Sequence, residues 1–426
     1  MTPPSPERPV EFRAPLSVPG GSVAGLEAVS ELSADASVLV WRVLRSVLLW
    51  AAEDPYHRGA LLDPESLREW EGRLLTESYA AELRMPLAVV VGELARGDQA
   101  GAGRISWACL CVTDWALARR ATRTALAFAE AAALVSPEQP RYAWVAGRML
   151  RTFGRLKESG QWLRRAVRVA VRTGDWEAHS KGLNSLGNTF LERGDYRDAA
   201  RMLQAALRTA RRRRLRVAEG ENLHDLFVVH FALNDWAQAE DYARSAFEVY
   251  RQIHHERLPM LAHDVAYLWI SRGYFARALA VLLALEPLMV TAEDRLRVLT
   301  SAGRAAGASG ERETFEHLWS EAWPLANELG RQNRYSASAL IELGLGASSL
   351  AQWDRAVQAL DLALDVARER GEPDAAHRAE AALAAVRSER VAETVRRAAT
   401  RSNSPGDALA QRMISSLTTA SSAAAA

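Results

Sequence analysis

The sequence predicts an all-α protein, a right-handed superhelical solenoid of helical hairpins with a helical cap at each end. Apolar residues recur at three- and four-residue spacing on both sides of short turn sequences, which indicates pairs of amphipathic helices. This paired unit returns at a nearly constant interval along most of the chain, as expected of a repeat protein. With 426 residues and 49% apolar composition, the chain is long enough for an extended stack. One hairpin cannot bury its apolar faces alone, so the units must stack.

The clearest unit runs from Leu183 to Ala206. Its turn is Gly194-Asp195-Tyr196, with apolar positions three and four residues apart before and after it. Gly187 and Ala199 lie about one turn inside their helices, where only small side chains let two helix axes approach closely. This stretch therefore predicts a helix, a tight turn and a second helix packed against the first.

Charge and cysteine content limit the classes of partner. The chain has 53 basic and 52 acidic residues, so it lacks the basic excess typical of general nucleic-acid binding or of binding to an anionic membrane. The two cysteines, Cys109 and Cys111, point to different faces of a predicted helix and favour a reducing compartment. The longest uncharged apolar run, Ala278–Leu285, is far shorter than the roughly 20 residues that cross a bilayer. We expect a soluble cytoplasmic protein with no membrane partner.

Five regions follow from composition and pattern. Residues 1–20 are proline-rich and predict a disordered tail, and residues 21–98 predict helices that do not match the repeat. We expect the latter to cap the open end of the stack, with a separate effector or dimerisation module as the alternative. Residues 99–372 contain seven repeats, and residues 373–400 predict a C-terminal capping helix. The Ser-, Thr- and Ala-rich residues 401–426 predict a mostly disordered tail.

The seven repeats can be aligned on their turns. The aligned turn positions, at separations of 41, 40, 40, 39, 37 and 41 residues, are Thr113, Gly154, Gly194, Asn234, Gly273, Gly310 and Ala351. Aromatic residues follow several of these turns, including Trp115, Tyr196, Trp236, Phe275 and Trp353, and a small residue opens most second helices, including Ala118, Ala199, Ala239, Ala278 and Ala356.

These units resemble tetratricopeptide repeats, most closely over residues 183–206 and 340–363. Seven units in register make the resemblance specific. The period is near 40 residues rather than 34, and the proline that often closes such repeats is mostly absent. Longer helices are therefore expected, as in the variants of the family that sense peptides or bind cargo.

The resemblance implies a binding groove on the concave face, lined by the second, fifth and ninth positions of each first helix. The partner-binding residues predicted in this way are Arg141, Trp144, Arg148, Lys181, Asn184, Asn188, His224, His263, Tyr267 and Arg304. Further groove positions are Glu221, Val228, Met260, Arg297 and Thr300. An asparagine amide can both donate to and accept from the backbone of an extended peptide. The alternative is that these are ordinary solvated polar residues on an inner surface.

Two His-Asp pairs occupy matching positions in adjacent units. His224-Asp225 and His263-Asp264 stand 39 residues apart, and stacking would bring them side by side. The main interpretation is a hydrogen-bonded column in or beneath the groove, with a carboxylate orienting the imidazole. A metal site is an alternative, although adjacent first helices about 8–10 Å apart would require the ligands to reach toward each other. A metal-dependent hydrolase would need further His and Asp ligands in a fitting arrangement.

The sequence favours binding over catalysis. It contains no phosphate-cradling glycine motif, nucleophile elbow or zinc-ligand spacing. Arg211–Arg214 could contact nucleic acid or an acidic partner, but cations at the end of a helix are favoured by its dipole and usually indicate a solvated terminus. We therefore expect a non-enzymatic scaffold or adaptor, without a cofactor, that binds a protein or peptide segment, including one with an acidic or C-terminal carboxylate group. The alternative function is a signalling or transcription regulator whose N-terminal region is an output module.

Overall fold

The computed structural model describes residues 26–60, 62–76, 81–330, 335–388 and 406–424. Within these ranges the chain is almost entirely helical and contains no strand. The predicted disordered tail at residues 1–20, and the last part of the predicted capping helix after residue 388, lie outside the described residues. The chain divides into two compact units, residues 1–218 and 219–426, which are described separately.

Nine helices form the first unit. They are α1 (Ala34–Ala52), α2 (Pro64–Thr76), α3 (Ala81–Leu94), α4 (Ala102–Ala118), α5 (Thr122–Val135), α6 (Pro140–Thr152), α7 (Leu156–Thr173), α8 (Trp176–Glu192) and α9 (Tyr196–Arg213). Helices α4 to α9 form three successive hairpins, and each hairpin also contacts the next. Helix α1 packs against α5 and α3 packs against α4, so the N-terminal helices contact the first hairpin. A capping role for residues 21–98 stays a prediction.

The second unit continues the helix pairs. Its helices are α10 (Arg216–Ala232, which begins just before the unit does), α11 (Trp236–Gln252), α12 (Leu258–Ser271), α13 (Phe275–Leu285), α14 (Ala292–Ser309), α15 (Arg312–Leu329), α16 (Ser336–Ser349), α17 (Trp353–Arg370), α18 (Pro373–Arg387) and α19 (Gly406–Ala424). The first helices α12, α14 and α16 contact one another in sequence, and α18 packs against both α16 and α17. We call the surface of α10, α12, α14, α16 and α18 the first-helix face of this unit.

Six of the seven predicted turns are confirmed. The residues predicted at these turns all adopt positive φ, and they are Gly154, Gly194, Asn234, Gly273, Gly310 and Ala351. Glycine adopts this left-handed conformation without a steric penalty, and asparagine tolerates it better than most residues. The spacing of these turns therefore places the helices where the sequence predicts them.

The predicted first turn at Thr113 is wrong. Thr113 is buried inside the continuous helix α4, and its hydroxyl donates to the backbone carbonyl of Cys109 over 2.9 Å. The chain reverses instead at Arg120, which has a φ of 58°. Trp115 and Ala118, which were aligned after the turn, belong to the same helix as Thr113. An arginine in the left-handed region has no sequence signal, because the residue types that favour this conformation are glycine and asparagine.

Glycines mark the closest helix contacts, as the sequence predicts for Gly187. A Cβ atom on Gly187 would lie 2.6 Å from Cγ of Leu203, on the partner helix of the same hairpin. The contact between α14 and α16 is closer still, because backbone meets backbone: a Cβ on Gly307 would lie 2.2 Å from the carbonyl oxygen of Gly346. A Cβ on Gly346 would lie 2.6 Å from the carbonyl oxygen of Gly303. Only glycine fits at such a crossing.

The prediction of a mostly disordered C-terminal tail is wrong for residues 406–424. These residues form α19, which packs against α13 and α11 within the second unit. Its buried side chains are Leu409, Ala410, Met413 and Leu417. The composition is rich in Ser, Thr and Ala, but the spacing of Leu409, Met413 and Leu417 is four residues, which places them on one helical face. This periodicity was the signal that composition concealed.

No helix in the described ranges combines the length and the apolar character that crossing a bilayer requires. Both cysteines are free thiols, and Cys109 is fully buried in α4.

Candidate functional site

A chain of hydrogen bonds crosses three first helices of the second unit. Nε2 of His224, on α10, lies 3.0 Å from Oδ2 of Asp264, on α12. Nδ1 of His263 lies 3.2 Å from the other carboxylate oxygen, and Nε2 of His263 lies 3.2 Å from the hydroxyl of Ser301, on α14. We call His224, Asp264 and His263 the His–Asp column. The predicted hydrogen-bonded column is therefore present, with Asp264 as the carboxylate between both imidazoles.

Asp225 occupies a different environment from Asp264. It lies near Arg257 and Tyr250, and its charge contributes to raising the pKa of both groups, against the desolvation that lowers the pKa of Arg257. The two His-Asp pairs therefore match in sequence position but not in contacts.

The His–Asp column is shielded from water but carries charge. Both imidazoles are buried, and the side chain of Asp264 is 26% exposed. Burial raises the pKa of Asp264, but the hydrogen bonds and charges of His224 and His263 outweigh it and hold the pKa well below its ordinary value. Nη2 of Arg297, on α14, lies 3.6 Å from Oδ1 of Asp264 and adds a second favourable charge. The carboxylate is therefore ionised across the neutral range and accepts hydrogen bonds from both rings.

The lowered pKa of Asp264 predicts a pH-dependent contribution to stability. A group with a folded-state pKa below its unfolded value stabilises the fold fully above the unfolded value, here 3.8, and loses this contribution as the pH falls further. We expect the stability difference between the wild-type chain and Asp264→Asn to be constant from pH 7 to about 5 and to shrink below about 4. Urea unfolding of both chains at each pH measures this difference. A difference that grows on acidification would contradict the assignment.

A second polar group lies at the other end of α12 and α14. A cavity of about 410 Å³ is lined by Tyr267, Arg304, Glu342 and Arg378, together with apolar side chains such as Ile270 and Leu345. We call it the Arg304 cavity. The hydroxyl of Tyr267 donates to Oε1 of Glu342 over 3.1 Å, and Nη2 of Arg378 lies 2.9 Å from the same oxygen. Burial, and then the charge of Glu342, raises the pKa of Tyr267 to about 12. Tyr267 is therefore a hydrogen-bond donor at neutral pH.

Arg304 is the exceptional member of this cavity. Its Nε and Nη1 atoms are buried and have no hydrogen-bond partner among the described residues. Burial lowers the pKa of the guanidinium, and the negative charge of Glu342 opposes that effect. A buried donor without an acceptor is costly, and native proteins rarely keep one without a reason. The cavity therefore holds two arginines against one glutamate, with donor capacity to spare.

A smaller cavity adjoins the His–Asp column. Its volume is about 200 Å³, and its lining includes Met260, His263, Met289, Arg297 and Val298. Flexible methionine side chains adapt to ligands of different shape. Since His263 and Tyr267 are one helical turn apart on α12, this cavity and the Arg304 cavity lie along the same first-helix face.

In the first unit, the predicted groove residues form two local contacts. The indole Nε1 of Trp144, on α6, donates to the hydroxyl of Ser185, on α8, over 2.9 Å. The guanidinium of Arg148 and the ammonium of Lys181 lie 4.7 and 6.0 Å from the centre of the indole ring. Nδ2 of Asn188 donates to Oδ1 of Asn184 over 3.2 Å. Arg141 is exposed at the start of α6.

The sequence missed three residues of the second unit. Asp264 was recognised in its pair but not as the shared acceptor, and the repeated His-Asp motif was its signal. Glu342 and Arg378 lie on α16 and α18, outside the repeat positions that the resemblance marks as groove-lining. Their proximity to Arg304 depends on how four first helices pack, for which a single sequence has no signal.

Comparison with known families identifies the repeat. Residues 141–212, which cover nearly all of α6 to α9, match the family model described as tetratricopeptide repeat. The chain contains tetratricopeptide repeats. A tetratricopeptide repeat fold is typically a binding scaffold. None of the curated proteins compared with this sequence matches it.

Solved structures with a similar chain path have low sequence identity to this tetratricopeptide repeat protein. One is a signal transduction ATPase with numerous domains with a tetratricopeptide repeat sensor from Pyrococcus horikoshii, with 13% identity, coverage of 92% of this chain and 68% of that chain, and a TM-score of 0.49. Another is the apo form of RapI, with 10% identity, 84% and 98% coverage and a TM-score of 0.47. A third is aspartyl phosphate phosphatase F from Bacillus subtilis, with 14% identity, 88% and 97% coverage and a TM-score of 0.42.

Proposed function

We propose that the second unit binds an extended segment of a partner protein along its first-helix face, with an acidic group of that segment in the Arg304 cavity. The observation that carries this proposal is the buried guanidinium of Arg304, whose Nε and Nη1 atoms have no partner among the described residues. A carboxylate is the acceptor that a guanidinium fork matches best, because it can take two parallel hydrogen bonds.

Charge balance supports a negative ligand. Arg304 and Arg378 contribute two positive charges to the cavity, and Glu342, already bonded to Arg378 and Tyr267, contributes one negative charge. One carboxylate would neutralise the remaining cation and supply the missing acceptors. Burying a charge without a partner is expensive, so this ligand would gain affinity by removing a penalty that the free protein carries.

The neighbouring cavity supports a peptide rather than an isolated small acid. Met260, Met289 and Val298 offer an adaptable apolar surface one helical turn along α12, suited to a side chain on the same extended segment. In the first unit, Asn184 and Asn188 offer amide groups of the kind that pair with a peptide backbone. The two units are proposed to bind by the same principle, each on its own first-helix face.

In this proposal the chain is a non-enzymatic adaptor in the cytoplasm. The support for binding without catalysis is the typical role of the tetratricopeptide repeat fold. The support for a cytoplasmic location is the presence of two free cysteines, which persist as thiols in a reducing compartment.

The substitution Arg304→Met tests the proposed ligand. The probes are matched extended peptides that differ by Glu or Gln at one position, together with peptides ending in a free carboxylate or an amide. The wild-type chain should prefer the acidic member of a pair by about 10-fold or more, since hydrogen bonds to charged groups contribute about 1.5–3 kcal/mol. Arg304→Met should lose this preference while its melting temperature stays equal or rises, because an unpaired buried charge has been removed.

Arg244→Met is the matched control, because Arg244 is an exposed arginine paired with Asp241 on the neighbouring turn. It should leave the peptide preference unchanged. If Arg304→Met binds the acidic peptides as the wild type does, or if the wild type shows no preference for acidic peptides, the proposed role of the Arg304 cavity is wrong.

A further inference from the structure

The C-terminal helix α19 occupies a surface on the second helices of two hairpins. It packs against α13 and α11, and against the short 3-10 turn Glu286–Leu288 that follows α13. We call this surface the α19 groove. It is distinct from the first-helix face, because α11 and α13 are the second helices of their hairpins.

The α19 groove exists because α13 is unusually short and unusually apolar. Helix α13 has 11 residues, whereas the second helices α11, α15 and α17 have 17 or 18. Pro287 follows its end and cannot continue the helical hydrogen bonding. Its sequence carries one charge, Arg277, among ten apolar residues. A helix that is apolar on every side requires neighbours on several sides, and α13 contacts α12, α14 and α19.

Helix α19 meets this surface with an apolar stripe and one cation. Met413 is fully buried at the centre of the stripe, with Leu409 one turn before it and Leu417 one turn after it. Arg412 forms an ion pair with Glu248 of α11. Its guanidinium also lies 5.6 Å from the centre of the Phe247 ring. The groove therefore recognises a helix by aliphatic residues at four-residue spacing and a basic residue beside them.

The connection of α19 to the stack favours exchange. Neighbouring helices of the repeats are joined by a few residues, but residues 388–405 separate α18 from α19 in the sequence. The effective concentration of a tethered segment falls as its linker lengthens, so a tethered helix on a long linker competes less strongly with a free one. The buried side chains of α19 are also few, since its stripe comprises Leu409, Ala410, Met413 and Leu417.

We propose that the α19 groove is a binding site for an amphipathic helix of a partner protein, and that α19 occupies this site in the free chain. The partner helix carries aliphatic side chains at four-residue spacing and a basic residue that reaches Glu248. This second site is independent of the peptide site proposed on the first-helix face, and each can fail without the other.

The test uses the full-length chain and a fluorescent peptide with the sequence of residues 406–424. In the wild-type chain, α19 occupies the groove and keeps the peptide out. In Met413→Asp, the buried stripe of α19 is interrupted and the groove is released. We expect the Met413→Asp chain to bind the peptide at least 10-fold more tightly than the wild-type chain does, and hydrogen exchange to show that α19 loses protection. The control Gln411→Asp places the same charge on an exposed position of the same helix and should behave as the wild type.

A charge exchange identifies the binding surface. The double variant Glu248→Arg, Met413→Asp should bind the wild-type peptide more weakly than Met413→Asp alone, and a peptide carrying Arg412→Glu should recover the lost affinity. The proposal is wrong if the Met413→Asp chain, with its helical signal intact, binds the peptide no better than the wild type. Absence of the charge preference likewise overturns it. A wild-type dimer that the peptide dissociates would make a second copy of the chain the occupant and would overturn the assignment to a partner helix.

Discussion

Replacing Gly307 with alanine is expected to destabilise the chain by at least the 1–3 kcal/mol typical of overpacking, as an approximate lower bound. The added methyl group would lie 2.2 Å from the carbonyl oxygen of Gly346 and 2.7 Å from two further backbone atoms of that residue. A side chain can rotate away from such a contact, but the backbone of α16 can only shift as a whole. Urea unfolding followed by far-ultraviolet circular dichroism measures the change in the free energy of unfolding.

Two other glycines serve as controls for Gly307→Ala. A Cβ on Gly303, on the same helix, would lie 3.2 Å from the flexible end of Leu343, so Gly303→Ala should have a smaller effect. Gly92, in α3, has open space around its Cβ position, and Gly92→Ala should stabilise the helix by up to about 1 kcal/mol. Equal effects at Gly307 and Gly303 would show that α14 and α16 are not in backbone contact.

The second large effect is expected for Asp264→Ala. This substitution removes the acceptor shared by His224 and His263 and the counter-charge of Arg297, all on packed first helices. Removing one partner from a buried charged network costs about 3–5 kcal/mol, and the partial exposure of Asp264 places the expected loss near the lower end of that range. The melting temperature and the urea midpoint should both fall.

Two further variants separate the network from ordinary surface charge. Asp264→Asn keeps one acceptor oxygen and should lose less stability than Asp264→Ala. Asp241→Ala removes the partner of Arg244 in an exposed ion pair, which typically contributes less than about 1 kcal/mol. If Asp264→Ala and Asp241→Ala have the same small effect, the His–Asp column does not stabilise the fold.

Much of the repeat architecture could be predicted from the sequence because each turn has its own chemistry. Glycine or asparagine marks five of the six confirmed turns, and the spacing between turns then sets the helix positions. The first turn was misplaced because Arg120 adopts the left-handed conformation that these residue types usually signal. The helix α19 was missed because its composition was weighed above the spacing of Leu409, Met413 and Leu417.

The candidate site was predictable only where it repeats. His224 and His263 occupy equivalent positions in adjacent units, so stacking alone predicts that they approach each other. The contacts of Arg304 with Glu342 and Arg378 depend on the packing of α14, α16 and α18, which a single sequence cannot supply. The partner-binding role of the predicted groove residues stays a proposal for both units.

The backbone contact between α14 and α16 has a kinetic consequence for the Arg304 cavity. Arg304 follows Gly303, and Glu342 lies one helical turn before Gly346, so the glycine crossing holds these two charges on helices that cannot slide apart without losing the contact. A cavity that is preformed in this way spends little entropy on ordering itself when a ligand arrives. Variation among its ligands should then appear mainly as differences in residence time, while their association rates remain similar.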